Sequence, residues 1–282
     1  MKKIFTTLAI CALMISVDAQ VQTPAASPAA EFEQKVGLTD IEVEYSRPNV
    51  NGRAIFGNLV PYDKIWRTGA NMNSTISFSD DVVIDGQKVK AGKYAIYTKP
   101  SPKSWEVYFY TDHENPGTPE KWDDSKVAAK TTVEAHTMPM KMETFTMLID
   151  EIHADHAMLG MIWDNVYVGV KIEVPTEQKV MASIDATMKG SPTAQDYMSA
   201  ANYYFTANKD IKQAKTWFDE AMKNNKDPKF WQLRQQSLIY AKAGDTKGAI
   251  SLAQRSLDAA KKAGNTDYIK MNEDSIKEWS KK

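Results

Sequence analysis

Val166-Tyr167-Val168-Gly169-Val170-Lys171-Ile172-Glu173-Val174-Pro175 runs directly into Thr176-Glu177-Gln178-Lys179-Val180-Met181-Ala182-Ser183-Ile184-Asp185-Ala186-Thr187-Met188-Lys189-Gly190. In the first block a branched apolar residue falls at every second position, the period of a strand whose alternate side chains share one face. Past Pro175 the period lengthens: Val180, Ile184 and Met188 recur every fourth residue, and Gly190 closes the helix that they define. Proline lacks an N–H and cannot extend a ladder. The change of period at Pro175 therefore divides the chain into a β part and an α part.

Upstream of that boundary the period of two recurs. Ile41, Val43 and Tyr45 alternate with polar residues, as do Ile76 and Phe78. Val82-Val83-Ile84, Asp85-Gly86 and Gln87-Lys88-Val89 read as strand, two-residue turn and strand, because a type I′ turn needs positive φ and Asp-Gly supplies it. Tyr94–Tyr97, Trp105–Tyr110 and Val127–Ala135 follow, with a loop from Asp112 to Lys126 containing Pro116, Gly117 and Pro119. Then come Phe145–Ile149, Ala157–Trp163 and Val166–Val174. Short strands with turns and no helical period between them predict an antiparallel β-sandwich over 35–175.

Downstream, Ser191-Pro192 and Asp227-Pro228 read as helix starts, and Gly244-Asp245 and Gly264-Asn265 as a stop followed by a new cap. About six helices in three antiparallel hairpins are expected over 176–282. Met198, Phe205, Ala214, Phe218 and Ala221 align with Leu233, Tyr240, Ala249, Ala253 and Ser256 at a constant offset of 35. This resembles the tetratricopeptide repeat, in which small residues let paired helices approach closely. Asn202 stands where that pattern expects a small glycine. Two repeats alone bury little, so their ends need covering, and the first helix, the last helix and the β-domain are the segments available.

The N-terminus reads as an export signal. Lys2 and Lys3 precede an apolar stretch from Ile4 to Val17, and Val17-Asp18-Ala19 offers a cleavage site, giving a signal peptide over 1–19. A proline- and alanine-containing leader is expected over 20–34. Removal of the signal removes Cys11, the chain's single cysteine, so the mature protein has no disulfide, thiol nucleophile or cysteine metal site. No later segment is apolar enough to span a membrane. The expected location is periplasmic or secreted. From Gln20 to Pro175 there are 15 Lys and Arg against 22 Asp and Glu, and from Thr176 onward 18 against 13. Neither balance points to nucleic acid.

Tyr45-Ser46-Arg47-Pro48, Gly52-Arg53-Ala54-Ile55-Phe56-Gly57 and Leu59-Val60-Pro61-Tyr62, then Trp66-Arg67-Thr68-Gly69-Ala70-Asn71, form an unusual string. With Ala91-Gly92-Lys93-Tyr94, it resembles domain-of-unknown-function family 2911 over about 35–174. The resemblance implies an exported β-domain typical of Bacteroidota, often with a helical-repeat tail, and no established activity. Asparagine-synthase labels carried by some relatives find no glutaminase nucleophile here.

The three arginines of the β-domain, Arg47, Arg53 and Arg67, all fall within this string. Arginine recognises carboxylate, phosphate or sulfate with a rigid fork and stacks on aromatic rings. Arg47, Arg53, Tyr62, Trp66, Arg67 and Asn71 are therefore the expected ligand-binding residues, for an anionic or carbohydrate ligand. The competing reading is that the arginines pin a long loop by its carbonyls. His113, His136, His153 and His156 lack the spacing of a zinc protease and read as exposed turn residues. Met138-Pro139-Met140-Lys141-Met142, two residues past His136, has the soft donors that select copper(I). Alternate residues of one strand are also ordinary core, and that is the expectation here. Asp63, Asp123, Asp124 and Asp164 are scattered carboxylates without a paired-acid motif. No cofactor or metal is expected. The reading that follows is a non-catalytic exported binding protein whose helical repeats contact a protein partner. An extracellular hydrolase and a periplasmic copper-binding protein are the alternatives.

Overall fold

The computed structural model describes residues 23–281, so the expected signal peptide and the first residues of the leader lie outside the described residues. The chain divides into two compact units after Thr176. Among the described residues no helix is long and apolar enough to cross a membrane.

Among the described residues the first unit holds ten strands: β1 (Ala29–Val36), β2 (Thr39–Ser46), β3 (Thr75–Phe78), β4 (Val82–Ile84), β5 (Gln87–Val89), β6 (Gly92–Pro100), β7 (Ser104–Tyr110), β8 (Val127–Glu134), β9 (His136–Asp150) and β10 (His156–Glu173). They form a six-stranded sheet ordered β1-β2-β3-β6-β7-β8 and a four-stranded sheet ordered β5-β4-β10-β9, with every pairing antiparallel. The sheets share one core: Ile41, Val43, Ile76, Ile96, Val107 and Phe109 from the first meet Ile84, Phe145, Leu159, Trp163, Val168 and Ile172 from the second. The architecture is the expected sandwich. The Asp85-Gly86 turn has positive φ at both residues and joins Ile84 to Gln87 in register.

Two expectations change. The leader was expected to run to residue 34, yet β1 starts at Ala29 and pairs with β2 over its whole length. Ala30, Phe32 and Val36 face inward at every second position, and Phe32 meets Tyr45 edge to face. A small alanine and the polar Gln34 mask that alternation in the sequence. The blocks ending at Trp163 and starting at Val166, expected as separate strands, belong to the single strand β10. Their inward residues have opposite parity. Register shifts on both sides of Asp164, whose φ is +51°, absorb the difference. Trp163 and Val168 are therefore both buried in the same core.

The second unit holds α1 (Thr176–Met188), α2 (Ala194–Thr206), α3 (Ile211–Met222), α4 (Phe230–Lys242), α5 (Thr246–Ala263) and α6 (Thr266–Trp279). Helix α2 packs on α3 around Ala201, Ala214 and Phe218, all fully buried. Helix α4 packs on α5, and α6 continues on α5 around Ala249, Ala253 and Trp279. The close pairs are thus two hairpins and a sixth helix on the second, not three separate hairpins. Asp245 and Asn265 cap α5 and α6 as expected. The cap of α2 is Thr193, not Ser191, because Asp196 three residues on reciprocates its hydrogen bond. Helix α4 begins past Pro228, at Phe230.

Candidate functional site

The signature string mostly holds the sandwich together. At the end of β2, Tyr45 Oη accepts from the Met147 amide (3.0 Å) and donates to the Met147 carbonyl. Arg47 Nε donates to the Phe145 carbonyl (3.1 Å) and its Nη2 to Thr146 Oγ1 (2.8 Å). The Phe145 amide donates to the Pro48 carbonyl and the Val50 amide to the Glu143 carbonyl. Strand β9 is an edge of its sheet, and these bonds satisfy the side of it that no strand covers. Arg53 serves its own loop, donating to the carbonyls of Val50 (3.0 Å) and Asn49 (2.5 Å). Asn71 Nδ2 ties down the Ser27 carbonyl and Ser46 Oγ.

Trp66 is half-buried and packs against the core. Its backbone bridges Thr98 on β6, its indole stacks on Trp163 at 5.8 Å and 17°, and it meets Trp105 and Phe145 edge to face. Its Nε1 donates to the Gly69 carbonyl (3.1 Å). Tyr62 lies across Gly57, where a Cβ would approach its ring to 2.6 Å. Arg47, Arg53, Trp66 and Asn71 do not converge on a ligand-facing loop; their polar groups satisfy backbone that turns and edges leave open.

Arg67 differs. Alternation along the bridge to β6 sends Trp66 inward and Ile65 and Arg67 outward, to the far side of the six-stranded sheet. Ile65 there joins Tyr97, Tyr108, Tyr110, Trp122 and Val127 in a second apolar cluster, with Trp122 at 4.6 Å from Tyr110 and 5.5 Å from Tyr97. The loop from 111 to 126 covers it. Tyr97 Oη donates to the Gly117 carbonyl (3.0 Å), and Asn115 Nδ2 donates to both Tyr97 Oη (3.2 Å) and that carbonyl (2.5 Å). Asn73 Nδ2 donates to Asn115 Oδ1 (3.0 Å). Burial pushes the Tyr97 hydroxyl up, so it stays a neutral donor. Gly117 has φ +111°, and a Cβ there would lie 3.3 Å from Arg67 Nη1. Glycine is what lets the loop lie against the guanidinium.

Among the described residues Arg67 makes no side-chain hydrogen bond or ion pair, and its Nε is buried without a partner. Asn73 is 7% exposed, and its Oδ1 likewise lacks a partner. An unused donor and an unused acceptor thus flank the Asn115–Gly117 segment. The family described as "Protein of unknown function (DUF2911)" matches residues 27–172, more than half of the chain and all the elements that build this site. The chain belongs to that family. No curated protein and no solved structure matches it. Within the DUF2911 region, sequence reasoning found Arg67 but missed Asn73, Tyr97, Asn115 and Gly117. The outward-facing tyrosines of β6 and β7 were the available signal, since aromatic residues on both faces of a strand imply that both are covered.

The other expected groups are dispersed. Asp123 accepts from the Ser125 amide and hydroxyl, Asp124 from Trp122 Nε1, Asp164 pairs with Lys141, and Asp63 is exposed. His153 and His156 stack at 4.4 Å in the β9–β10 turn, with Asp155 on His156 Nδ1 (2.7 Å). His113 is half-buried in the 111–126 loop, and His136 is exposed at the start of β9. Among the described residues no three His, Cys, Asp or Glu side chains group as a metal site. The methionine expectation is corrected: Met140 is 64% exposed and Met138 and Met142 are half-buried, so none is core.

Proposed function

We propose that this chain is an exported, non-catalytic binding protein whose β-unit takes an anionic or glycan-like ligand at Arg67. One observation carries the reading: of three arginines in the signature, two are consumed by carbonyls and hydroxyls of their own domain, whereas Arg67 is not. A guanidinium beside the Gly117 loop complements a carboxylate, phosphate or sulfate, and the unpartnered amide oxygen of Asn73 suits a hydroxyl donor on the same ligand. Rigid strands on one side and a loop on the other give the preorganisation that binding needs.

The helical unit, in the same reading, is a tetratricopeptide-like pair of repeats that docks a protein. Supporting it are the offset of 35 between α2–α3 and α4–α5 and the buried alanines at their helix contacts, Ala201 and Ala214 in the first pair and Ala249 and Ala253 of α5 in the second. A groove of about 400 Å³ beside them is lined by Leu233, Leu252, Lys223 and Arg255. Export, periplasmic or secreted, rests on the lysine-led apolar N-terminus.

The experiment is a thermal-shift screen of acetate, sulfate, phosphate and uronic acids on the wild-type chain and on Arg67→Ala. A ligand bound to the native state raises the melting temperature by mass action. An anion should raise the melting temperature of the wild type and not of Arg67→Ala. An equal response in both removes Arg67 from the site.

A further inference from the structure

Met138, Met140 and Met142 serve neither the core nor Arg67. The pairing of β9 with β10 is regular from Asp150 back to Thr146 and then slips: Asp164 pairs with Met142, and Val166 with Thr137. Between those two pairs β10 advances by two residues and β9 by five. Two residues of strand span about 7 Å and five about 17 Å, so Met138–Lys141 cannot lie flat along β10 and must arch away from it. Pro139, with no N–H to give to a ladder, belongs in such a segment. Met138 and Met142 stand at the feet of the arch, half-buried, and Met140 lies on it, the most exposed large hydrophobic residue described. His136 is exposed just beyond the Thr137 foot.

An arch draws its feet together. The feet, Thr137 and Met142, pair with residues only two apart on β10, so the backbone carrying three long, flexible thioethers is gathered over about 7 Å, where a straight strand would spread it over about 17 Å. Met140 lies in water and Met138 and Met142 are only half-buried, so packing does not account for all three. Pro139 and the arch also break the flat edge that an added strand would need. The one cation on the arch, Lys141, is paired with Asp164 at 3.0 Å, so its charge is offset.

We infer that the arch from Thr137 to Met142 is a binding site for a soft monovalent cation, copper(I). Met138, Met140 and Met142 supply sulfur and His136 an imidazole nitrogen. Thioethers select copper(I), whereas magnesium and calcium require oxygen ligands that this set lacks. The inference is independent of Arg67 and of whatever the β-unit binds there.

The test is anaerobic titration of the intact chain with reduced copper against a chromophoric chelator, in a Cys11→Ser background that removes the single thiol. One equivalent should bind. Met138→Leu/Met140→Leu/Met142→Leu should weaken binding by no less than the roughly 10–100-fold typical of losing even an outer partner of a metal. Leucine keeps the volume, so the melting temperature should hold. Met140→Leu alone, at the most exposed of the three positions, gives the same direction of change should the triple variant fold poorly. His136→Ala should weaken binding less than the triple variant does. Unchanged affinity in the variants, absence of binding, or zinc competing on equal terms would each overturn the inference.

Discussion

Arg47 and Arg67 occupy the same signature and have opposite fates because of what each faces. Arg47 reaches across to β9 and donates to a carbonyl and a hydroxyl there, so its truncation strands acceptors that nothing else satisfies. Arg47→Ala should lower stability in urea by about 1–3 kcal/mol. Arg67 gives up no such bond, and Arg67→Ala should stay within about 0.5 kcal/mol of wild type. If chemical denaturation returned the reverse order, the division between brace and ligand contact would be wrong. Gly69 makes a third residue-scale case. Its φ is +152°, and a Cβ would lie 2.8 Å from Ser74 Oγ and 3.1 Å from the Ser46 carbonyl. Gly69→Ala should cost at least about 1–3 kcal/mol, read as a fall in the urea midpoint with the slope unchanged. Both glycine and arginine were legible as signature residues; which of them braces and which is free required their neighbours.

The edge of β9 shows what the signature achieves for an element. Tyr45 Oη is both acceptor and donor to Met147, and replacing it by a ring without the hydroxyl leaves that buried amide without a partner. Tyr45→Phe should destabilise by about 1–3 kcal/mol, and hydrogen exchange at the Met147 amide should accelerate ahead of the sheet interior. Strand β8 closes the opposite edge of the sandwich with charge. Lys130, then Tyr108 and Lys99, hold the Glu106 carboxyl down from its ordinary 4.5 to about 2. A depressed folded-state value means a contribution fully present above about pH 4.5 and lost as pH falls toward 2. Stability of the wild type measured in urea should therefore decline over that window, and Glu106→Gln should flatten that part of the curve. An acid limb identical in both proteins would show that Glu106 is not held in this way. Strand boundaries along these edges were partly legible: the alternations of β2, β7 and β10 stand out, whereas β1 was hidden because Ala30 and Gln34 carry little apolar signal.

At the scale of the molecule, each unit has its own core. The sandwich closes over the tryptophan and phenylalanine cluster around Trp66, Trp105, Phe145 and Trp163, and the helices close over alanine-lined contacts that end on Trp279. Residues 23–176 expressed alone should melt cooperatively by near-ultraviolet circular dichroism. The helical unit should do so only with α6 in place, since its removal uncovers Ala249 and Ala253. A helical unit lacking 266–281 that melted unchanged would rule out α6 as the covering element.

Period, punctuation and turn chemistry belong to the local chain, and the sequence by itself determined what depends on them. That covers the β-then-α division at Pro175, the Asp85-Gly86 hairpin, the caps at Asp245 and Asn265, and the signature of the DUF2911 family. Only the tertiary structure decided matters that depend on which segments meet. It merged two strands of opposite parity at Asp164, packed Trp66 against the core, and set Arg47 to an edge while leaving Arg67 unpaired. It also arched Met138 and Met140 out of the ladder, between the pairs made by Thr137 and Met142. The physical reason is the same in each case: a side chain's task is fixed by the unsatisfied backbone or apolar surface opposite it, and in a sandwich that surface comes from residues tens of positions away.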